Sequence, residues 1–452
     1  MTECTQSQFE FTPHFSRSVV AGFDGGRITS DGGALLLRET EQRLNLLPRL
    51  SACFRDSRHP LYISHSVEEL LGQRIYGLAL GYEDLNDHDQ LREDPLLGVL
   101  AGKREAGQEL LAGKSTLNRL ELGTEEADRY KKISYRQEPI DDLLVQLFVE
   151  AHSEPPERVV LDLDVTDLAL EGHQEGRFFH GYYDEYCYLP LYIFCGEHLL
   201  CARLRTADQD AAAGCVAEVE RIVRRLRKVW PGVQIVVRAD SGFCRDELMS
   251  WCEQEGVDYV IGLARNTRLR KLIEPQMVTA ALLEAETSRP ARVFTEFSYE
   301  TTTGTWSRAR RVVAKAEHLQ DKENPRYVVT SLDAQDWPAQ ELYEEAYCAR
   351  GEMENRIKEQ MSLFADRVST ESLRSNQLRL YLSAMAYVLL QGLRRVGLKG
   401  TEWAHAQVGT IRLRLLKIGA QVRITTRRVC ISLASGFPWR EMFGRVWANL
   451  RC

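Results

Sequence analysis

The sequence predicts an α/β fold: a mixed-sheet core, a mainly helical region before it and a basic helical region after it. Three observations predict this. After Pro155-Pro156 the apolar pattern changes from a helical period to short runs of β-branched and leucine residues. Those runs then alternate with amphipathic stretches that end on Gly or Pro. Charge is also unevenly placed. Residues 392–452 hold 12 basic and 2 acidic side chains, a net of +10, although 58 basic and 65 acidic residues give the whole chain −7.

In order along the chain, Phe23-Asp-Gly-Gly-Arg-Ile-Thr-Ser-Asp-Gly-Gly33 sets two Asp-Gly-Gly turns around a short extended piece. That is hairpin chemistry, because Gly accepts positive φ. A helix starts near Ala34, and the pattern stays helical over 66–122. Ser66-Val-Glu-Glu69 fits a capping box, with Leu70, Leu71, Ile75, Leu78 and Leu80 on one side. Residues 115–121 open another short helix. Beyond the Pro-Pro signal, 158–165 is a strand, and 188–194 with 198–204 form a hairpin around Gly196-Glu197. Residues 211–229 are a helix stopped by Trp230-Pro231-Gly232. A buried strand over 234–239, a helix over 245–255 and a strand over 257–263 follow. This order, β, β, β, α, β, α, β, is that of a ribonuclease-H-like (RNase H-like) core. Residues 292–302, 306–316 and 326–332 alternate as strands, with a turn at Thr301–Gly304, and read as a β-rich insertion. Helical pattern returns over 342–364 and 372–396. The expected division is 1–154, helical; 155–265, core; 266–344, insertion; 345–392, core again; and 393–452, the basic region.

Composition excludes several classes. Hydrophobic residues at 44% and charged residues at 27% are globular values, which removes disorder and collagen-like repeats. The length suits two or three domains. No apolar run reaches the roughly 18 residues of a membrane span. The best candidate, 378–393, carries Arg379, Ser383 and Gln391 and reads as a buried amphipathic helix. Met1-Thr-Glu-Cys-Thr-Gln6 lacks a signal pattern. Eleven scattered cysteines, an odd number, point to reduced thiols and a cytoplasmic protein. A basic tail on an acidic body suits contact with a polyanion, and a solvated basic cap is the other reading. Gly113-Lys114-Ser115 is not a phosphate loop, because Gln108 stands where the first Gly is needed and Gly107 is one residue off. Cys187, Cys195, Cys201, Cys244 and Cys252 lack zinc-ligand spacing and read as core thiols.

The carboxylates are more informative. Asp162 and Asp164 lie on one face of a buried strand by its period of two. Charges there need a partner or a metal. Asp240 ends the apolar strand Ile235-Val-Val-Arg-Ala-Asp240, and Gly242 permits a turn beyond it. The carboxyl ends of central strands are where open α/β sheets bind ligands. On a helix, Tyr347, Arg350, Glu354 and Lys358 form one stripe, which a solvated salt-bridge face would also give. Three carboxylates converging from two strands and a late helix can hold two Mg2+ ions, the arrangement used for phosphoryl transfer.

The combination of Phe23–Ala34, Asp162-Leu-Asp-Val-Thr166, Phe179-His-Gly-Tyr-Tyr183, Tyr188-Leu-Pro-Leu191, Ala239-Asp-Ser-Gly-Phe243 and the Tyr347/Arg350/Glu354 stripe resembles DDE transposases of bacterial insertion sequences. It is similar to the cut-and-paste branch with a β insertion in the core, of the insertion-sequence-1380 type. The resemblance implies a triad of Asp164, selected over Asp162 by the following x-Thr, with Asp240 and Glu354. It implies two Mg2+ ions on those residues, with Mn2+ able to substitute. The branch's helix signature, Tyr-x2-Arg-x3-Glu-x6-Lys, is met by Tyr347, Arg350 and Glu354, whereas Met361 stands at the Lys position. Lys358, one turn earlier, is the candidate phosphate contact alongside Arg350 and Tyr347. The implied partners are double-stranded DNA, both the element's terminal inverted repeats and the target, and a second copy of the chain. The helix over 115–121 is the candidate for the major groove, and the implied place is the bacterial cytoplasm, on the nucleoid. A hairpin intermediate with a stacked base would make Trp306 a candidate platform, with a core indole as the other reading. Two rivals stand beside this: a structure-specific nuclease on the same core, and a domesticated, inactive DNA-binding protein, which the presence of all three carboxylates disfavours.

Overall fold

Local chemistry explains most of the elements. A computed structural model of the chain describes residues 8–103, 110–302, 304–320 and 322–451. The N-terminal hexapeptide, Gly107, Gln108 and Cys452 lie outside the described residues. The chain folds as two compact units. The first comprises the residues up to Tyr135, Ser362–Phe364 and those from Met385 on; the second comprises Arg136–Met361 and Ala365–Ala384.

The second unit is built on one sheet. Its elements are α1 (Gln137–Glu150), β1 (Arg158–Val165), β2 (Leu191–Cys195), β3 (His198–Arg203), α2 (Cys215–Val229), β4 (Gln234–Ala239), α3 (Asp246–Glu255), β5 (Asp258–Leu263), α4 (Glu274–Thr287), β6 (Ala291–Tyr299), β7 (Arg310–Leu319), β8 (Arg326–Thr330), α5 (Gly351–Met361) and α6 (Leu373–Gly392), of which the last runs on past Ala384 into the first unit. The sheet order is β3-β2-β1-β4-β5-β8-β7-β6, and a short ninth strand, Lys322–Glu323, pairs with β7. β1, β4 and β5 are parallel; β2 and β3 form the expected hairpin, turned by Gly196 at φ +57°. Alternation fixes the two faces. Ile235, Val237 and Ala239 of β4 bury on one side with Val159, Leu161 and Leu163 of β1, while Val236 faces the other side with Val260, Val313 and Val328.

The stretch 266–344 begins with helix, including α4, ahead of its strands, and those strands continue the same sheet: β8 pairs with β5, Val260 opposite Thr330. An unpaired edge on β5 would leave a row of unmet N–H and C=O groups, and β8 covers it. The Pro155-Pro156 bend lies inside this unit, because Val145 and Phe148 of α1 share a core with Val159 and Leu161.

In the first unit the capping box forms as read: Ser66 Oγ accepts from Glu69 N, and Glu69 reaches back to Ser66 N, opening the helix Val67–Leu80. Leu70, Leu71, Ile75 and Tyr76 are fully buried. The helical pattern over 66–122 breaks into several helices, the last being Lys114–Glu121. The Asp-Gly-Gly segment does not make a hairpin on itself. Its short strand Ile28–Thr29 pairs with Ala420–Ile424, which forms a hairpin with Val429–Leu433. A Cβ on Gly33 would lie 2.0 Å from the Leu415 carbonyl oxygen, so this glycine serves a close backbone approach. The basic end of the chain is therefore part strand, and several of its cations point inward. Arg394 is 2% exposed, Arg412 donates to the Ala79 and Leu78 carbonyls, and Lys417 pairs with Asp31 at 2.7 Å. Among the described residues no helix is long and apolar enough to cross a membrane.

Candidate active site

The site lies at the carboxyl ends of β1 and β4. Leu163 and Ala239 are their last registered pair, so Asp164 and Asp240 come next on neighbouring parallel strands. Asp240 caps a short 3-10 turn, Ser241–Phe243, accepting from Gly242 N at 2.8 Å. A Cβ on Gly242 would stand 3.0 Å from Asp240 Oδ1, so glycine leaves that carboxylate room.

Asp162 and Asp164 differ in their partners. Asp162 is 4% exposed and held by both Nε and Nη2 of Arg238, the latter 2.8 Å from Oδ2. Arg238 Nη1 donates on to the Ala346 carbonyl at 2.6 Å. Asp162 is thus consumed by an internal ion pair. Asp164 accepts from Val165 N at 2.9 Å and from Arg350 Nη1 at 3.0 Å. Burial pushes the Asp164 carboxyl up to about 6; Arg350 opposes this, while the charges of Asp240 and Glu354 add to it.

The third element is one continuous helical run that changes its winding. An α turn, Ala339–Glu341, passes to a π turn, Leu342–Tyr347, then a 3-10 turn, Cys348–Arg350, and finally α5. Such irregular turns concentrate at functional sites. Tyr347 lies over Gly262 of β5, whose added Cβ would meet the phenol oxygen at 2.5 Å. Burial raises the Tyr347 pKa; Arg350 opposes this and Asp240 adds to it. Burial pulls Arg350 down, but Asp164 first, then Tyr347, Asp240 and Glu354, hold it above its ordinary value. Arg350 Nη2 lies 3.3 Å from Glu354 Oε1. Glu354 is about half exposed, and Lys358 is exposed one turn further along.

Asp164, Asp240, Tyr347, Arg350 and Glu354 therefore share one site. Among the described residues, however, no three acidic, His or Cys side chains converge closely enough to hold one ion. The guanidinium of Arg350 touches both Asp164 and Glu354 instead. The donor set fits Mg2+, which takes oxygen ligands. The repulsion that Asp164 feels from Asp240 and Glu354 is what a divalent cation relieves. Trp306, read from sequence either as a base platform or as a core indole, is 8% exposed, edge-on to Tyr299 with centroids 5.7 Å apart, and covered by Arg310 at 5.5 Å, so the ring is packed. Arg238 and Gly262 were not singled out from sequence. An arginine inside the apolar strand Ile-Val-Val-Arg-Ala was a signal, since a buried cation requires an acidic partner. Beside the site opens a cleft of about 510 Å3, lined by Ser241, Gly262, Tyr347, Arg265, Lys322 and Arg326.

Among solved structures, the chain is similar to a cryo-EM structure of the piggyBac transposase synaptic complex with hairpin DNA. Identity is 12%, the match covers 86% of this chain and 81% of that one, and the TM-score is 0.41. No curated protein matches this chain. The family model described as transposase DDE domain group 1 matches residues 11–452, nearly the whole chain, and this protein belongs to that family.

Proposed function

We propose that the chain is the transposase of a bacterial insertion sequence, of the insertion-sequence-1380 type, cutting DNA at the element's ends and joining those ends to target DNA. The observation that carries this is the placement of Asp164 and Asp240 at the ends of adjacent parallel strands, with Arg350 reaching from the late helix to Asp164 and Glu354. The order β3-β2-β1-β4-β5, in which β2 alone runs against the other four, supports a ribonuclease-H-like reading of the core.

Asp164, Asp240 and Glu354 would hold two Mg2+ ions, with Mn2+ able to substitute. When bound, they would activate the attacking oxygen and stabilise the leaving one. The chain's own residues do the rest. Arg350 offers a planar fork to the scissile phosphate, Tyr347 positions that phosphate, and Lys358 adds a cation one turn away. In the first step water forms a bond to phosphorus and the P–O3′ bond breaks, leaving a 3′-hydroxyl and a 5′-phosphate. In the second, that 3′-oxygen bonds to a target phosphorus, the target's P–O3′ bond breaks and its 3′-oxygen leaves with a proton. The cations of the neighbouring cleft, Arg265, Lys322 and Arg326, suit the adjoining strand. A homodimer would handle two ends at once.

The test is strand cleavage and joining on duplex DNA carrying the element's terminal repeats, in Mg2+ and in EDTA. Metal-dependent nicks together with joined products are expected, and Asp164→Asn, Asp240→Asn or Glu354→Gln should abolish both. Cleavage without joined products would mean a nuclease, and binding without cleavage would mean a DNA-binding protein.

A further inference from the structure

A second basic cleft lies in the first unit. It has a volume of about 370 Å3 and is lined by Arg58, Tyr62, Arg119, Arg129, Tyr130 and Lys132. Local chemistry explains its parts. The helix Lys114–Glu121 buries Leu117 and Leu120 and turns Thr116 and Arg119, one turn apart, to the cleft. Arg58 is held by Asp56, Nη2 to Oδ2 at 2.7 Å. Arg119, Arg129 and Lys132 are exposed and form no ion pair among the described residues. Their charge is therefore uncommitted. Two aromatic rings stand open beside them: Tyr62 is 83% exposed and Tyr130 is 66% exposed. His59 flanks Tyr62 with ring centroids 5.2 Å apart, and the Arg129 guanidinium lies 5.3 Å from the Tyr130 centroid. His65 also lines the cleft, and its Nδ1 is buried without a hydrogen-bond partner. Burial first, then the charges of Lys103, Arg92 and Arg58 against that of Glu69, hold His65 below its usual pKa. The surroundings are thus net positive.

Uncommitted cations suit phosphate, and open aromatic faces suit a base. A base inside a duplex has no free face to offer, so the combination favours an unpaired nucleotide. We infer that this cleft binds one unpaired nucleotide of a DNA strand, its phosphate against Arg119, Arg129 and Lys132 and its base on Tyr62 or Tyr130. This rests on the reading that the chain works on DNA, and it adds a subsite for a frayed or single-stranded end in the unit that lacks the carboxylates.

The experiment uses the full chain in EDTA, where no metal-dependent chemistry runs, and reads binding by fluorescence anisotropy. The probes are a blunt duplex and the same duplex with a short single-stranded thymidine extension. Tighter binding of the extended probe is expected. Tyr62→Ala with Tyr130→Ala should erase that preference, by about 10-fold, while leaving the blunt duplex unchanged. The matching Tyr→Phe changes should restore it. Arg119→Ala with Lys132→Ala should weaken binding of the extended probe and flatten its salt dependence. Both tyrosines are solvent-exposed, and a thermal melt checks that each variant folds. Equal binding of the two probes, or a preference untouched by the Tyr→Ala pair, overturns the inference. Displacement of the extended probe by dTMP as effective as by the extension strand also overturns it, in favour of a free-nucleotide pocket. Cleavage is scored separately, so a chain that binds the extension but never cuts DNA sinks the catalytic reading and leaves this one standing.

Discussion

Arg350 Nη1 donates to Asp164 Oδ2 at 3.0 Å and so joins a helix to a strand 186 positions earlier in the chain. The other guanidinium nitrogen lies 3.3 Å from Glu354 Oε1. A two-pronged cation between two carboxylates has a geometric requirement that charge alone does not meet.

Arg350→Lys should therefore keep the charge and lose activity. An ammonium can neither span both carboxylates nor offer the scissile phosphate a planar fork, and losing one charge-assisted hydrogen bond to that phosphate, worth about 1.5–3 kcal/mol, lowers turnover by roughly 10-fold or more. A solvated i, i+4 pair would be worth only about 0.3–0.5 kcal/mol, and lysine would serve nearly as well. Strand-transfer rates at saturating Mg2+ decide, and wild-type turnover would reduce the interaction to a surface pair.

Asp162 and Asp164 should respond oppositely to amidation. Asp162→Asn leaves Arg238 buried with half its partner and should cost about 1–3 kcal/mol of stability, with cleavage per folded molecule retained. Asp164→Asn removes a buried charge that Asp240 and Glu354 repel, so stability should hold or rise while cleavage is lost. Denaturant melts beside cleavage assays read both. An inactive but fully stable Asp162→Asn would reverse the assignment.

Gly262→Ala should displace Tyr347. The added methyl would stand 2.5 Å from the phenol oxygen and 3.0 Å from Ser241 N. A fall in activity larger than the fall in stability is expected, and adding Tyr347→Phe should recover part of the lost stability. A double variant no more stable than Gly262→Ala alone would show that the strain lies against the backbone.

Acid should weaken the first unit through His88. Arg74 Nη1 lies 3.1 Å from its Nε2 and can only donate, so that ring nitrogen accepts, and a proton placed there on charging the ring would face the guanidinium; Nδ1 lies 3.0 Å from Gln73 Nε2. Burial first, then the Arg74 charge, drops its pKa from 6.5 to about 3. The unfolded chain then binds the proton before the folded one does. Stability should fall as pH drops from about 6.5 towards 3, by up to about 1.4 kcal/mol per pH unit. His88→Gln should flatten that part of the stability curve even if it lowers the whole curve. An unchanged slope would assign the acid sensitivity to other groups.

Salt dependence of DNA binding should follow the exposed arginines rather than the total charge of the tail. Arg423, Arg427 and Arg428 are exposed on the hairpin near the chain's end, whereas Arg412 is spent on backbone carbonyls. Replacing the three with Gln should reduce the slope of log K against log salt by about 0.9 for each phosphate no longer neutralised. Arg412→Gln should instead lower the melting temperature. Equal slopes for wild type and the triple variant would place DNA elsewhere.

Strands β1, β4 and β5 were legible because β-branched runs of period two need only local chemistry, and Ser66 announced its helix for the same reason. The β5–β8 pairing was not legible. Which strand covers an edge is decided by residues about 70 positions apart, such as Val260 and Thr330, and leaves no local mark. The winding of the Tyr347–Arg350 segment was hidden too, since an ideal helix already aligned its stripe. By period alone Asp162 and Asp164 look alike, since both are aimed the same way, and in the fold their arginine partners separate them, Arg238 for Asp162 and Arg350 for Asp164. At Trp306 the composition of a turn said nothing of the tyrosine and arginine that enclose the indole.

The pairing of Thr29 with Ala420 has a consequence for synthesis. Gln421 also donates to the Gly25 carbonyl, across 396 positions. At roughly 5–20 residues per second, the first segment waits about 20–80 s on the ribosome for the strand that completes it. The sheet bearing Asp164 and Asp240 is already made by then, so the unit that begins the chain is the last to close. A nascent chain arrested before residue 420 would carry every residue of the carboxylate site while its N-terminal segment still lacked its partner strand.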